Sequence, residues 1–450
     1  MAAAVAALCG VATTAVAQQA APQQAGGSKV QLWGIVDAAV RHTTNEGADK
    51  GGLTKMVGGG MSQSRFGINV EEDLGNGSKA LVVLENRFTT DDGNTTPVTP
   101  AFFQLAYVGL QTPYGRLTMG RQYNVLFDVV TSTYASFPYS PYMDAYKPEL
   151  GMAAGARASN ALKYSIATAD RTWVATAQYS FAEGNNSKKA EEAAVNLAQA
   201  GLGLLSPGAT VDMAGTGAAL AGSLASPSAT VQQLLAPQFA ATTSAVTTAA
   251  TGAYKTAGAF LRYSKNGISV GGGFLRTYLP GGSDLDAWTL GGSYRKDKLY
   301  VNLGYGENKF KSDGVKTDGT GREFATSYAR SLIDKGIVNS MWQGQTNGGF
   351  QMGDADKRKM FKVGFGYQIT PQINGGLHYY HAKQSGSVSG EADGKAHFMV
   401  AAVNYAFSKR TDAYFAVDHT KVSGGNAIYI DPSNQTKKRT GFTAGLRHRF

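Results

Sequence analysis

Few residues in this 450-residue chain have types and spacings that could do covalent or metal chemistry. His378 and His381 stand three apart and look like a ligand pair, but on a strand positions i and i+3 point to opposite faces. The other His residues are scattered, and the single Cys, Cys9, lies in the apolar N-terminal run, so no thiolate completes a zinc set. No glycine-rich phosphate loop leads from a strand into a helix. No Ser, His and acid share a context that would build a nucleophile. The expectation is therefore no catalytic residue, no metal and no cofactor. What remains is charge. Lys and Arg outnumber Asp and Glu by 42 to 32, for a formal net charge of +10. A basic chain can bind nucleic acid, but these cations are spread over turns, loops and alternate strand positions, so no nucleic-acid partner is expected. Opposed rows of charge across a narrow watery gap would make a transverse field that orders water and favours polar solutes. An excess of Arg over acid there would favour anions.

Such charges need a wall, and the last stretch identifies it. In Thr440-Gly-Phe-Thr-Ala-Gly-Leu-Arg-His-Arg-Phe450, Phe442, Ala444, Leu446, His448 and Phe450 fall on one face. Gly441, Thr443, Gly445, Arg447 and Arg449 fall on the other. One face suits oil and the other water. About 11 residues at ~3.3 Å each, tilted ~45°, span roughly 25 Å, the height of the apolar band of an outer-membrane barrel. The composition agrees: 57 Gly, 20 Phe and 22 Tyr, with a mean hydropathy of -0.20, too polar for a helical membrane protein.

Upstream the chain reads strand, turn, strand, long loop, repeated. Val30–His42 is the first strand, and Ser64–Glu72 pairs with Lys79–Phe88 across a Gly-Asn turn. In the latter strand Val82, Leu84 and Phe88 oppose Lys79, Glu85 and Arg87, which puts Arg87 on the wet face. Arg121 lies in phase with Leu117 and Met119 and reads as structural. Short turns recur at 73–77, 112–115, 168–171, 264–267, 295–297, 370–372 and 408–410. Longer polar connections lie near 43–62, 91–101, 124–158, 182–253, 279–285, 310–356, 385–394 and 423–439. Seven turns and eight loops join sixteen strands. An even count, with connections short at one end and long at the other, predicts an all-β fold: a transmembrane 16-stranded antiparallel β-barrel wide enough for an aqueous channel. Trp33, Tyr107, Tyr164, Trp173, Tyr179, Tyr294, Tyr300, Phe365, Tyr367 and Phe407 fit interfacial girdles.

Residues 1–17 form an uncharged Ala/Val run ending Ala15-Val16-Ala17, a secretory signal with a small-x-small cleavage site. Its positive n-region is missing, as it would be if the true start lay upstream. Residues 18–27 read as a flexible lead-in and 28–450 as the barrel. Two loops stand out. Asn124–Ala158 carries Phe127, Tyr134, Phe137, Tyr139, Tyr142 and Tyr146, too aromatic to be free in solvent. Residues 182–253 are an Ala-rich, low-complexity insertion, with a short helix predicted over Lys188–Leu205.

The first strand (Val-Gln-Leu-Trp-Gly-Ile-Val-Asp-Ala), Glu71-Glu-Asp-Leu-Gly-Asn-Gly77, Gly120-Arg-Gln122 and the terminal strand together resemble the trimeric general-diffusion porins of Gram-negative bacteria, of beta-proteobacterial type. The resemblance covers about 28–180 and 254–450, not the insertion. It implies a water-filled outer-membrane channel for small hydrophilic solutes and ions. It implies a third loop folded into the lumen as a constriction. Arg65 and Arg157 match basic constriction positions, with Arg87 in support. The family often has a further Arg early in its fourth strand, where this chain has Gln104, so anion preference should be modest. Asp128, Asp144 and Glu149 are the loop acids expected to face that wall, and Phe450 the assembly signal read by the barrel-assembly machinery. A homotrimer is implied, and outer Lys and Arg would meet outer-membrane lipid and lipopolysaccharide phosphates. A substrate-specific channel, with the loop aromatics as a track, is the alternative. A barrel lipase or protease would need a clustered Ser/His or acid/His site.

Overall fold

The computed structural model describes residues 27–95, 102–136, 156–182, 254–279, 283–311, 355–387, 390–431 and 434–450. The expected signal, the 18–26 lead-in, residues 183–253 of the insertion, the loop aromatics from Phe137 to Tyr146, and the acids Asp144 and Glu149 lie outside the described residues.

The chain begins with β1 (Lys29–Glu46), β2 (Gly51–Val57), β3 (Arg65–Gly75), β4 (Ser78–Arg87), β5 (Phe103–Thr112) and β6 (Gly115–Tyr123). A helix, α1 (Val125–Thr133), follows. Then come β7 (Arg157–Ala167), β8 (Trp173–Ser180), β9 (Thr256–Lys265), β10 (Ile268–Tyr278), β11 (Asp284–Lys296) and β12 (Leu299–Lys311). The last are β13 (Lys357–Gln368), β14 (Ile373–Ser385), β15 (Gly394–Ala406), β16 (Thr411–Gly424) and β17 (Lys438–Arg449). From β3 onward each strand pairs antiparallel with the next, and β17 returns to pair with β1 from Ile35↔Arg449 to Thr43↔Gly441. The sheet is therefore closed, which removes the free margin an open sheet would expose. At the seam Phe450 exchanges backbone bonds with Gly34, at 3.1 and 3.2 Å. Its ring covers Gly34, where a Cβ would lie 2.3 Å from the ring.

Among the described residues, seventeen strands fill sixteen wall positions, because β2 and β3 share one: β1 pairs with β3 along its first half and with β2 along its second. Residues 43–62, expected to be a loop, thus contain a strand. Its alternation is too short and too glycine-rich to stand out in the sequence. Between Ala39↔Val57 and Ile35↔Arg65, β1 advances 39 − 35 = 4 residues while its partner advances 65 − 57 = 8. The surplus turns 58–64 inward as a wide break in the wall. Asp37 holds it: its carboxylate accepts from the backbone N–H of Gly60 (3.1 Å), Met61 (3.3 Å) and Ser62 (2.7 Å) and from the Tyr414 hydroxyl (2.5 Å). Gly60 has no room for a side chain, since a Cβ would sit 2.6 Å from the Tyr414 hydroxyl and the Thr443 methyl.

Burial follows the expected alternation, inside out relative to a soluble barrel. On β1, Val30 and Leu32 are 67% and 64% exposed, whereas Asp37 and Arg41 are 0% and 2% exposed. Outward apolar side chains meet lipid; inward polar ones line the lumen. Three of the expected girdle aromatics face inward instead. Trp33 shares the phase of Asp37, Tyr107 that of the buried Leu105, and Tyr300 bonds a loop carbonyl inside the barrel.

Candidate functional site

The wall arginines come together around a tyrosine. Arg65 and Arg87 stand directly opposite on β3 and β4. Like charges in that register repel, and Glu85, 3% exposed, separates them. One of its oxygens accepts from Arg87 Nε at 2.7 Å, and the other lies 3.7 Å from Arg65. Arg87 also donates to the side-chain carbonyl of Gln63, in the inward break, and to the Tyr123 hydroxyl at 2.5 Å. Arg157 enters from β7, in register with Tyr123; its guanidinium lies 5.0 Å from the center of the Tyr123 ring. The pairing of β6 with β7 is irregular at Gly120–Gln122. There Arg121 donates to the Ser159 hydroxyl at 2.8 Å. So Arg65, Arg87 and Arg157 form one group, with Glu85 inside it.

Sequence reasoning missed Tyr123, Gln63 and the role of Glu85. The signal for Glu85 was present, since it shares the lumen phase of Arg87. Tyr123 and Gln63 carried none, because their contacts depend on strand pairing and on the break at 58–64.

Just past Tyr123 the chain enters α1. Asn124 caps it, its side chain accepting from the Phe127 N–H at 2.9 Å. Val125, Leu126, Val129 and Val130 are buried against the lumen face of β9, β10 and β11 with Phe260, Leu275 and Ala287. Gly271 on β10 lets the helix approach, as a Cβ there would meet Val129 at 3.0 Å. The helix therefore lies inside the barrel. Phe127 stacks on Tyr123 at 3.9 Å, tying it to the arginine group. Asp128 meets Lys163 of β7 at 2.5 Å and not the arginines. Beneath the helix, toward the short turns, a cavity of about 330 Å³ is lined by Arg116, Lys163, Arg262, Tyr107 and Phe260.

The residues after α1 are pinned to the far wall. The Tyr134 ring sits where Gly291 and Gly304 leave space; a Cβ on either would lie 2.7 Å from it. Its hydroxyl bonds Thr289 at 2.5 Å, and Lys362 Nζ lies 4.6 Å over its face. Ser293 and Tyr300 donate to the carbonyls of Thr133 and Ala135 at 2.5 and 2.7 Å.

Two chemical readings of the His residues can be placed. His378 faces inward and bonds Asn302 at 2.8 Å, while His381 faces outward beside His397. Among the described residues no group of three or more His, Cys, Asp or Glu could hold a metal ion.

The sequence profile of the Gram-negative porin family matches residues 2–425. An outer membrane porin protein of Bordetella pertussis is 32% identical over 111 residues, 22% of this chain and 29% of that protein. Outer membrane porin protein 32 of Delftia acidovorans is 32% identical over 144 residues, 30% of this chain and 40% of that protein. The matched stretch thus spans well under half the length of either relative. Among solved structures, the anion-selective porin from Comamonas acidovorans superposes with a TM-score of 0.60 at 21% identity, covering 94% of this chain and 100% of that one. A Salmonella typhi OmpF complex with daunomycin gives 0.55 at 14% identity, covering 94% and 98%. At these identities the structural likeness is one of fold.

Proposed function

The chain belongs to the Gram-negative porin family, and from that premise we propose that it is a water-filled outer-membrane channel for the passive diffusion of small hydrophilic solutes and ions, with a modest preference for anions. The observation that carries this reading is the group of Arg65, Arg87 and Arg157 on the lumen wall, with Glu85 the acid bonded among them. A fixed excess of cations in a narrow water-filled passage raises the local concentration of anions. The helix inside the barrel supports a third loop that narrows the lumen beside those arginines. In this reading Asp128 anchors the loop to the wall through Lys163. The family resemblance supports a homotrimer, contact with lipopolysaccharide, and insertion by the barrel-assembly machinery acting on the strand that ends at Phe450.

The cavity beneath α1, with Arg116, Lys163 and Arg262 at its rim, favours a second reading, a channel specific for one organic anion. Liposome swelling separates the two. General diffusion gives swelling rates that fall smoothly with solute size for sugars and amino acids alike. Rapid swelling with a single carboxylate and none with small sugars would replace it with the specific channel, and no swelling at all would contradict both.

A further inference from the structure

Below α1 a second set of cations lines the lumen, apart from the arginine group. Arg116 is the second residue of β6, just past the 112–115 turn, and Arg262 lies three residues before the end of β9. Both line the cavity of about 330 Å³ under the helix, together with Lys163 of β7. The cross-strand partners of Arg116 are Gln111 and Ser165, and those of Arg262 are Val174 and Gly271, none of them an acid. The one carboxylate lining the cavity, Asp128, is taken by Lys163 at 2.5 Å. No acid among the described residues bonds Arg116 or Arg262, and the Nε–H of each finds no acceptor there. Several other inward cations are matched: Arg65 and Arg87 share Glu85, Arg41 bonds Asp418, and Arg447 and Arg449 bond Asp412.

Three cations against one acid leave the cavity with two unopposed positive charges. Such a pair holds a doubly charged anion more strongly than a singly charged one, because each pair of opposite charges adds its own attraction. The hydroxyls of Thr118, Ser165 and Thr176 line the same cavity and can donate to that ion. Tyr123 joins the cavity to the arginine group: it lines the one, and its hydroxyl accepts from Arg87 of the other. Arg65, Arg87 and Arg157 stand at the strand ends that lead to the long connections, so a solute from that side meets them first. A solute from the short-turn side, the periplasmic side of an outer-membrane barrel, meets the cavity first. We propose that Arg116, Arg262 and Lys163 form an inner anion site, in series with the arginine group, that holds one small dianion arriving from the periplasm. The held dianion lies under α1 and lowers the passage of monovalent anions. This inference rests on the channel reading and adds to it a sided binding step.

The test records single channels of the full chain in a planar bilayer at low potassium chloride, with sulfate added to one side and then the other. Nitrate serves as the monovalent probe. The double variant Arg116→Gln, Arg262→Gln is compared with Arg116→Lys, Arg262→Lys, with Arg65→Ser, Arg157→Ser and with the unaltered protein. Sulfate binding to the same proteins in detergent is read from the rise in unfolding temperature, which needs no conduction. The expected result is a sulfate block from one side of each channel only. The half-blocking concentration should rise at least about tenfold in the Gln variant, stay near normal in the Lys variant, and persist in Arg65→Ser, Arg157→Ser. The single variants Arg116→Gln and Arg262→Gln should fall between. An unchanged block in the Gln variant would overturn the site, as would equal block from both sides or nitrate blocking as strongly as sulfate. A block lost only in Arg65→Ser, Arg157→Ser would place the anion in the arginine group and also overturn it. A protein that does not conduct, but whose sulfate binding the Gln variant loses, would sink the channel reading and leave the anion site standing. Neither conductance nor sulfate binding would sink both.

Discussion

At the residue scale, the proposed anion preference comes down to how far Glu85 offsets the guanidiniums around it. Each arginine that is removed lowers the potential felt by an ion in the gap. Two unit charges 4 Å apart in water interact by about 1 kcal/mol, roughly a fivefold effect on occupancy. Replacing Arg65 and Arg157 by Ser should therefore cut the anion-to-cation permeability ratio by about two- to fivefold at low salt. The difference should shrink toward 1 M, where the screening length falls to about 3 Å. Zero-current potentials at several salt concentrations measure this, and a ratio unchanged at low salt would make both arginines plain wall. The positions of the arginines were legible in the sequence, one from strand phase and two from resemblance. Their partners were not. Tyr123 joins Arg87 to Arg157 only because the pairing of β6 with β7 brings them into register. Arg121 read as structural from its phase, and at the irregular pairing of Gly120–Gln122 it bonds the Ser159 hydroxyl.

At the element scale, two inward features shape the lumen: the break at 58–64 and the helix α1 with its tail. The break hangs on Asp37, whose carboxylate receives three backbone N–H groups. Asp37→Ala strands those donors in a buried setting, at about 1–3 kcal/mol for each group left unsatisfied. The expected outcome is a lower temperature for the heat-induced mobility shift on gels, with Gln63 no longer positioned to hold Arg87. An unshifted temperature would mean the break is held by its other contacts. The helix tail hangs on Tyr134. Tyr134→Ala empties a niche made by two glycines, at about 3 kcal/mol of local packing. Open-channel current noise should rise while the barrel stays folded, and Gly304→Val should do the same from the opposite wall. Noise as low as in the unaltered protein would show that Ser293 and Tyr300 suffice. The aromatic stretch pointed to packing, and of its residues Phe127 and Tyr134 are seen packed. That Tyr134 in particular is the anchor was not legible, because the space for it is the absence of side chains on β11 and β12, far along the chain. The strand β2 was missed for a simpler reason: seven residues with two glycines give too little alternation to see.

At the scale of the whole molecule, alternation and the long/short rhythm of connections were enough to predict the closed wall and its sixteen positions. Closure depends on contacts the local pattern cannot reveal. At the seam, Arg41 of β1 makes a two-pronged bond to Asp418 of β16 at 2.5 and 2.9 Å, reaching past Gly441 of β17. On β17 itself, Arg447 and Arg449 both bond Asp412 of the neighbouring strand β16. The charges of the terminal strand are thus largely tied to an acid on the strand beside it. In the proposed reading, the positive potential of the pore rests on Arg65, Arg87 and Arg157 rather than on the strand ends. The most direct test is the reversal potential of the purified protein in a planar bilayer under a tenfold potassium chloride gradient. Stable conductance steps with a reversal potential of the sign set by chloride are the expected result. Steps that reverse on the potassium side would contradict the account.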